Sequence, residues 1–386
     1  MKIYIFTFTF YPESNGVANV VLNQAKHFLN AGHEVYIVTS PNIDRDKKDH
    51  QIKHFNIIEF NIRGSFKLYN FYRGNIFKYL QFLKTLKADI AFFHCWQIWS
   101  TDLFFLIKKK DYNYKTVIVS HCTGINSSKT FTDKINKILF YPYRYIIKVL
   151  MKKADKLVFL SNKLDLDRYY DAMIVKELGL ENKKVVIPNG VEKLDSIIFD
   201  PYILQKYQLL NKNYLVYVSN YQTIKNQEFA LDIFENILYE YDIIFIGGYQ
   251  SKYLDKLTKK RQKSTKAKHI HFLVNIPRYD MLSIVSLAKV FLFTSNNECA
   301  PLSVLEPLSL GVPVVSTDVG DVNMLENVLV ESDIDNFVNV LNNLLGNEQS
   351  YSQLKKRVEE NKHLYNWYNS LEKYDTLVKE IYEENL

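Results

Sequence analysis

Residues 290–317 constrain the fold more than any other stretch. Val290-Phe291-Leu292-Phe293-Thr294 is an apolar run of the kind that forms a parallel strand buried on both faces. A polar loop carrying Glu298 follows, then a short helical pattern from Leu302 that carries Glu306. Gly311 stops that helix, and Val312-Pro313-Val314-Val315 starts the next strand. Strand, loop, helix and strand in this order predict an open α/β sheet, whose ligands bind outside the carboxyl ends of the strands. Free amides at the helix start, at Leu302 and Ser303, form an anion site. Carboxylates accept hydrogen bonds from sugar hydroxyls, so two of them around a phosphate cradle suit a phosphorylated ligand rich in hydroxyls.

A chain of 386 residues is long for one core and fits two domains. The apolar share of 47% with 24% charged residues is that of a globular protein. A net charge of +7 suits anionic ligands or membrane surfaces and does not argue for nucleic acid. Cys95, Cys122 and Cys299 lack metal-ligand spacing, so a reduced, cytoplasmic setting is the default. Lys2 with the apolar run to Phe10 imitates a short signal sequence, but no small-residue cleavage site follows, and a first strand is the better reading. No apolar stretch is long enough to span a bilayer.

Glu298 and Glu306 stand eight apart, and the whole run resembles the E-x7-E signature of retaining nucleotide-sugar glycosyltransferases, glycosyltransferase family 4, with the GT-B fold. The resemblance implies two Rossmann-like doubly wound domains facing across a cleft, with a C-terminal helix crossing back to the first. The expected boundaries are 1–190 for the acceptor domain, 191–365 for the nucleotide-sugar domain and 366–386 for the returning helix. They rest on Val185-Val186-Ile187-Pro188-Asn189-Gly190-Val191-Glu192, similar to the family's I-P-N-G-V-[DE] crossing, with Phe199-Asp200-Pro201 after it. Glu298 is then expected to face the transferred sugar and Glu306 to hold the ribose. The amides of Ala300, Leu302 and Ser303 would take the phosphates, since Pro301 has no N–H to offer.

The remaining expected site residues lie just past strand ends. Gly16 belongs to a loop between a first strand and a helix, similar to the family's N-terminal glycine loop. The dinucleotide fingerprint G-x-G-x-x-G is absent, which counts against a nicotinamide cofactor. His121, after Thr116-Val117-Ile118-Val119-Ser120, matches the family's histidine that faces the sugar, while His94 reads as a structural histidine. Lys225 matches the family's diphosphate-binding lysine. Ser219-Asn220 stands where Gly-Arg is usual, so Asn220 replaces one expected cation. Asn275 falls in the strand-and-turn that borders the nucleotide base, where backbone contacts leave uracil and guanine undistinguished. Thr317-Asp318-Val319-Gly320-Asp321 resembles a T-D-x-G-G loop with Asp321 for the last glycine.

The function implied is retaining transfer of a sugar from a UDP- or GDP-sugar to a glycan or lipid-linked acceptor, in cell-surface polysaccharide, lipopolysaccharide or glycolipid synthesis. No cofactor and no metal are expected: Asp165-Leu166-Asp167 and Asp333-Ile334-Asp335 lack the context of a metal-binding D-x-D. Residues 129–156 mix apolar positions at helical spacing with eight cations, which fits either a peripheral contact with an anionic membrane or a core-packed helix with a solvated basic face. The rival functions are a sugar-nucleotide 2-epimerase of the same architecture and a catalytically silent sugar-nucleotide-binding subunit.

Overall fold

Apolar β-branched and aromatic runs such as Lys2–Phe6 and Val290–Phe293 can only be buried on both faces, and here they are the central strands of two parallel sheets. The computed structural model describes residues 1–13, 15–65, 70–123, 141–163, 169–194, 200 and 202–383. The chain divides into two compact units, Met1–Asn189 with Ser370–Leu386, and Gly190–Asn369. This is the α/β, two-domain organisation that the resemblance implies.

Among the described residues the first unit holds a sheet of seven strands. They are β1 (Lys2–Phe6), β2 (Glu34–Thr39), β3 (Asn56–Glu59), β6 (Ile90–His94), β7 (Lys115–Ser120), β8 (Lys156–Phe159) and β9 (Lys184–Val186). Their spatial order is β3-β2-β1-β6-β7-β8-β9, every neighbouring pair parallel. A short antiparallel hairpin, β4 (Ile62–Arg63) and β5 (Arg73–Gly74), follows β3. The helix Gly16–Asn30 starts where the Asn15 side chain caps it, accepting the Ala18 N–H at 3.0 Å. Its Val21, Ala25 and Phe28 pack on the sheet together with Tyr374, Leu377, Val378 and Ile381 of the C-terminal helix Trp367–Glu383. That helix begins in the second unit and ends in the core of the first, as the resemblance implies.

The second unit repeats the design with β10 (Tyr214–Val218), β11 (Asp242–Gly247), β12 (Ile270–Val274), β13 (Val290–Phe293), β14 (Val314–Thr317) and β15 (Val328–Glu331). The order is β12-β11-β10-β13-β14-β15, all parallel. In each unit the order reverses once, between β1 and β6 and between β10 and β13. Loops leaving the two strands beside such a reversal diverge and open a crevice at the carboxyl edge. β10 and β13 pair only at Leu215↔Val290 and Val216↔Phe291, so their carboxyl ends run on beyond the paired stretch at that crevice.

Three readings shift. The strand expected from Val312 starts at Val314, after Pro313, which has no N–H to give the ladder. Val185-Val186, read as the start of the domain crossing, belongs to the edge strand β9. The described half of residues 129–156 forms the helix Tyr141–Lys153 ahead of β8; residues 124–140 and Asp165-Leu166-Asp167 lie outside the described residues.

Candidate active site

The reversal point of the second sheet gathers four charged side chains into two ion pairs. Past β10, a 3-10 turn Thr223–Lys225 is stitched to the loop after β13 by backbone and side-chain bonds. Asn296 N–H donates to Ile224 O at 2.9 Å, and the Thr294 hydroxyl donates to Asn226 O at 2.9 Å. The buried Tyr217 hydroxyl donates to Lys225 O and accepts the Thr294 N–H. This stitching brings Lys225 Nζ to 2.5 Å from Glu298 Oε1, with 22% and 13% of the side chains exposed. Charges so sheltered are costly unless each is compensated, and here each compensates the other.

Eight residues on, Glu306 projects from the helix Leu302–Ser309 and meets Arg278 at 2.8 Å. Arg278 is the first residue of the helix Arg278–Ser286, just past β12. The helix 302–309 starts after Pro301, and the first intrahelical N–H taken is that of Val304, by Pro301 O at 2.9 Å. The Leu302 and Ser303 amides therefore sit at an open first turn beside both carboxylates.

The loop bearing Glu298 is held from behind by residues 317–321. The Thr317 hydroxyl donates to Ser295 O at 2.7 Å and Asp321 N–H to Cys299 O at 3.0 Å. Gly320 has φ +59°, and a Cβ there would lie 2.2 Å from Cys299 O.

Asn220 and Asn275 meet around the glycines that end β11. Asn220 Oδ1 accepts the Gly248 N–H at 3.1 Å, and Asn275, itself at φ +51°, donates its N–H to Gly247 O at 2.8 Å. The Asn220 side chain thus fixes the backbone of a loop at the crevice, where the family's usual arginine would bring a charge. Ala300 lies in the loop just before Pro301. Asp333 caps the helix Ile334–Gly346 by accepting the Asn336 N–H at 2.9 Å.

In the first unit, Gly16 opens the helix after β1, and the β6 and β7 ends carry a histidine pair. His94 Nδ1 lies 3.1 Å from His121 Nε2, and His94 Nε2 lies 2.8 Å from Gln24 Oε1. With Gln24 Oε1 accepting, His94 carries its proton on Nε2 and accepts at Nδ1 from His121 Nε2–H. His121 Nδ1 is then left as a bare acceptor at the carboxyl edge. His94, expected to be structural, is buried and also fixes the His121 tautomer. Burial pushes His121 down to about 4, and burial with the neighbouring His121 holds His94 well below the usual range, so both are neutral near pH 7. The buried Asp171 carboxylate braces this edge, accepting from Trp96 Nε1 at 2.8 Å and from the Ser120 hydroxyl.

The unfolded His121 titrates near 6.5 and the folded one near 4, so between these values the unfolded chain binds more protons. The stability His121 contributes is complete above pH 6.5 and is lost as pH falls toward 4. Asp102, pushed up to about 7 by burial, slopes the other way. The comparison that isolates His121 is urea unfolding of wild type and His121→Asn at pH 7 and pH 5. The variant is expected to lose less stability on acidification; equal losses would remove the assignment.

Residues 14–193 match the profile described as Glycosyltransferase Family 4, and residues 202–361 match that described as Glycosyl transferases group 1. The chain belongs to glycosyltransferase family 4. This glycosyltransferase is 24% identical over 345 residues to the alpha-monoglucosyldiacylglycerol synthase of Acholeplasma laidlawii, covering 82% of this chain and 80% of that one. It is 31% identical over 121 residues to O-antigen chain mannosyltransferase B of Escherichia coli, covering 30% of this chain and about a third (32%) of that protein. The Anabaena protein HepE, solved in complex with UDP-glucose, superposes with a TM-score of 0.73 at 13% identity over the full length of both chains. At that identity the likeness shows the fold alone.

Arg278, Gln24 and Tyr217 are the residues that sequence reasoning passed over. Arg278 alone had a usable signal, a cation directly past a strand end and behind Pro277.

Proposed function

We propose that this glycosyltransferase moves a sugar from a nucleotide-diphosphate sugar, a UDP-sugar in the first instance, to a hydroxyl of a lipid-borne or lipid-linked glycan acceptor, with retention and without a metal. The reading places it in glycolipid, lipopolysaccharide or cell-surface polysaccharide synthesis, at the cytoplasmic face of a membrane. The relatives named for a glucosyldiacylglycerol and an O-antigen product support the acceptor class, and the UDP-glucose complex of HepE supports the donor.

The observation that carries the reading is the pair of ion pairs at one sheet reversal, Lys225–Glu298 and Arg278–Glu306. A nucleotide sugar supplies what each pair needs when opened. Its diphosphate takes Lys225, and its sugar hydroxyls donate to Glu298. The Leu302 and Ser303 amides add uncharged donors to the phosphate. Negative charge grows on the leaving diphosphate in the transition state, so a fixed cation and amide cradle lower the barrier without a protein nucleophile. The acceptor proton passes to the departing phosphate oxygen.

Arg278 orients Glu306 for the ribose hydroxyls and adds the cation that Asn220 does not. Arg278→Met is expected to raise the donor KM about tenfold, the worth of one charged hydrogen bond, with a smaller change in kcat. A kcat loss with unchanged KM would show another role.

The function itself is tested by incubating the protein with UDP- and GDP-sugars and a diacylglycerol or lipid-diphosphate acceptor, with chelator present. Transfer with the anomeric configuration kept is expected. Tight nucleotide binding with no turnover would instead indicate a silent binder.

A further inference from the structure

Between β1 and the helix Gly16–Asn30 the chain forms a loop at the carboxyl edge of the first sheet, beside its reversal between β1 and β6. Connecting loops of this kind are ordinarily the mobile parts of a domain. This one is anchored by an arginine. Arg45, from the loop after β2, has only 1% of its side chain exposed. Its Nε donates to Tyr11 O at 2.7 Å, Nη1 to Ser40 O at 2.9 Å and Nη2 to Phe10 O at 3.3 Å. Glu59, the last residue of β3, balances the charge from 2.5 Å. A guanidinium presents its donors in a rigid fork, so these bonds hold the two loops in one arrangement.

The carboxylate that this anchoring positions is that of Glu13, half-buried three residues past Phe10. The Thr9 hydroxyl donates to its Oε2, and Asn42 Nδ2 donates to its Oε1 at 3.1 Å. Asn15 Nδ2 in turn donates to the Thr9 hydroxyl at 2.7 Å. All of these donors are neutral. Among the described residues no cation pairs with Glu13; Arg45 and Lys47 both go to Glu59. Glu298 and Glu306 differ in this respect, since each is held by a cation. A carboxylate can accept about four hydrogen bonds, and the protein supplies Glu13 with two. Hydroxyls of an uncharged ligand can fill the rest without breaking an ion pair, whereas a phosphate would be repelled.

We infer that Glu13 binds the acceptor, taking hydrogen bonds from hydroxyls of an uncharged sugar or glycerol group. The inference rests on the proposed transfer and names the chemistry of the acceptor group that the first unit holds. The helix entered from this loop also carries Gln24, which holds His94 and through it His121, so one element sets both Glu13 and the histidine pair.

The test is acceptor kinetics of the full-length protein with Glu13→Gln, which keeps the shape of the side chain and removes its charge. The acceptors are dioctanoylglycerol and octyl glucoside, both uncharged, and short-chain phosphatidylglycerol, which is anionic. Wild type is expected to prefer the uncharged acceptors. Glu13→Gln raises their KM at least about tenfold, the worth of a hydrogen bond to a charged group, with kcat changed much less. The same variant narrows the preference over phosphatidylglycerol and keeps the wild-type melting temperature and UDP affinity. Wild-type KM values in the variant overturn the inference. So does a loss of kcat together with melting temperature, which would make Glu13 a brace of its loop, or a wild type that prefers phosphatidylglycerol. A wild type that transfers to no acceptor removes the proposed function and this inference with it, whereas normal wild-type transfer with an unaffected Glu13→Gln removes this inference alone.

Discussion

Glu298→Ala is expected to lower kcat about a thousandfold while leaving nucleotide binding intact or slightly tighter. The magnitude is that of removing one preorganised polar group aimed at the reacting centre. The direction for binding comes from the ion pair. Lys225 is 22% exposed and held by the Glu298 carboxylate at 2.5 Å; without that partner its ammonium is freer to take the diphosphate. Lys225→Ala should weaken nucleotide binding and lower kcat together, because the cation serves both bound and leaving phosphate. The double variant should be little worse than Glu298→Ala in turnover, since the two residues act as one unit. Calorimetric titration with UDP or GDP, beside transfer rates, separates these outcomes. Should Glu298→Ala lose nucleotide affinity in step with turnover, the carboxylate is bracing the loop and has no separate role toward the sugar.

The central strands were legible because parallel strands covered on both faces must read as unbroken apolar runs, and Tyr214–Val218, Asp242–Gly247 and Val290–Phe293 do. Two strands at the sheet margins were not. Lys184–Val186 and Val328–Glu331 are short and half-exposed, so they carry neither a run nor an alternation long enough to read. The hairpin strands, two residues each, carry no periodicity. Within the site, the spacing of Glu298 and Glu306 was visible because one loop and one helix supply both. The contact of Lys225 with Glu298 spans 73 residues and is made by hydrogen bonds of Ile224 and Asn226 carbonyls, which any sequence possesses. Arg278–Glu306 is the same case: a helix start and a helix interior brought together by strand order, with nothing local to announce it.

Gly320→Ala is expected to cost about a hundredfold in kcat, at a site whose own side chain does no chemistry. Two penalties combine. At φ +59° an L-residue pays about 1–2 kcal/mol for the left-handed conformation. Its Cβ would also sit 2.2 Å from Cys299 O, a backbone atom that cannot rotate aside as a side chain can. Relief to ordinary van der Waals distance needs about 1 Å of movement in the loop that carries Glu298, and a displacement of that size at a reacting group costs about a hundredfold. The Asp321 N–H to Cys299 O bond would be strained by the same movement. Gly311→Ala is the matched control. Its φ is +72°, so the conformational penalty is similar, but the added Cβ meets only the carboxylate end of Glu359, which can swing into solvent. Both variants should lose similar stability in urea, while only Gly320→Ala loses turnover, with donor KM nearly unchanged. If the two variants lose activity equally, and in proportion to their stability, then residues 317–321 support the fold of the second unit without setting the position of Glu298.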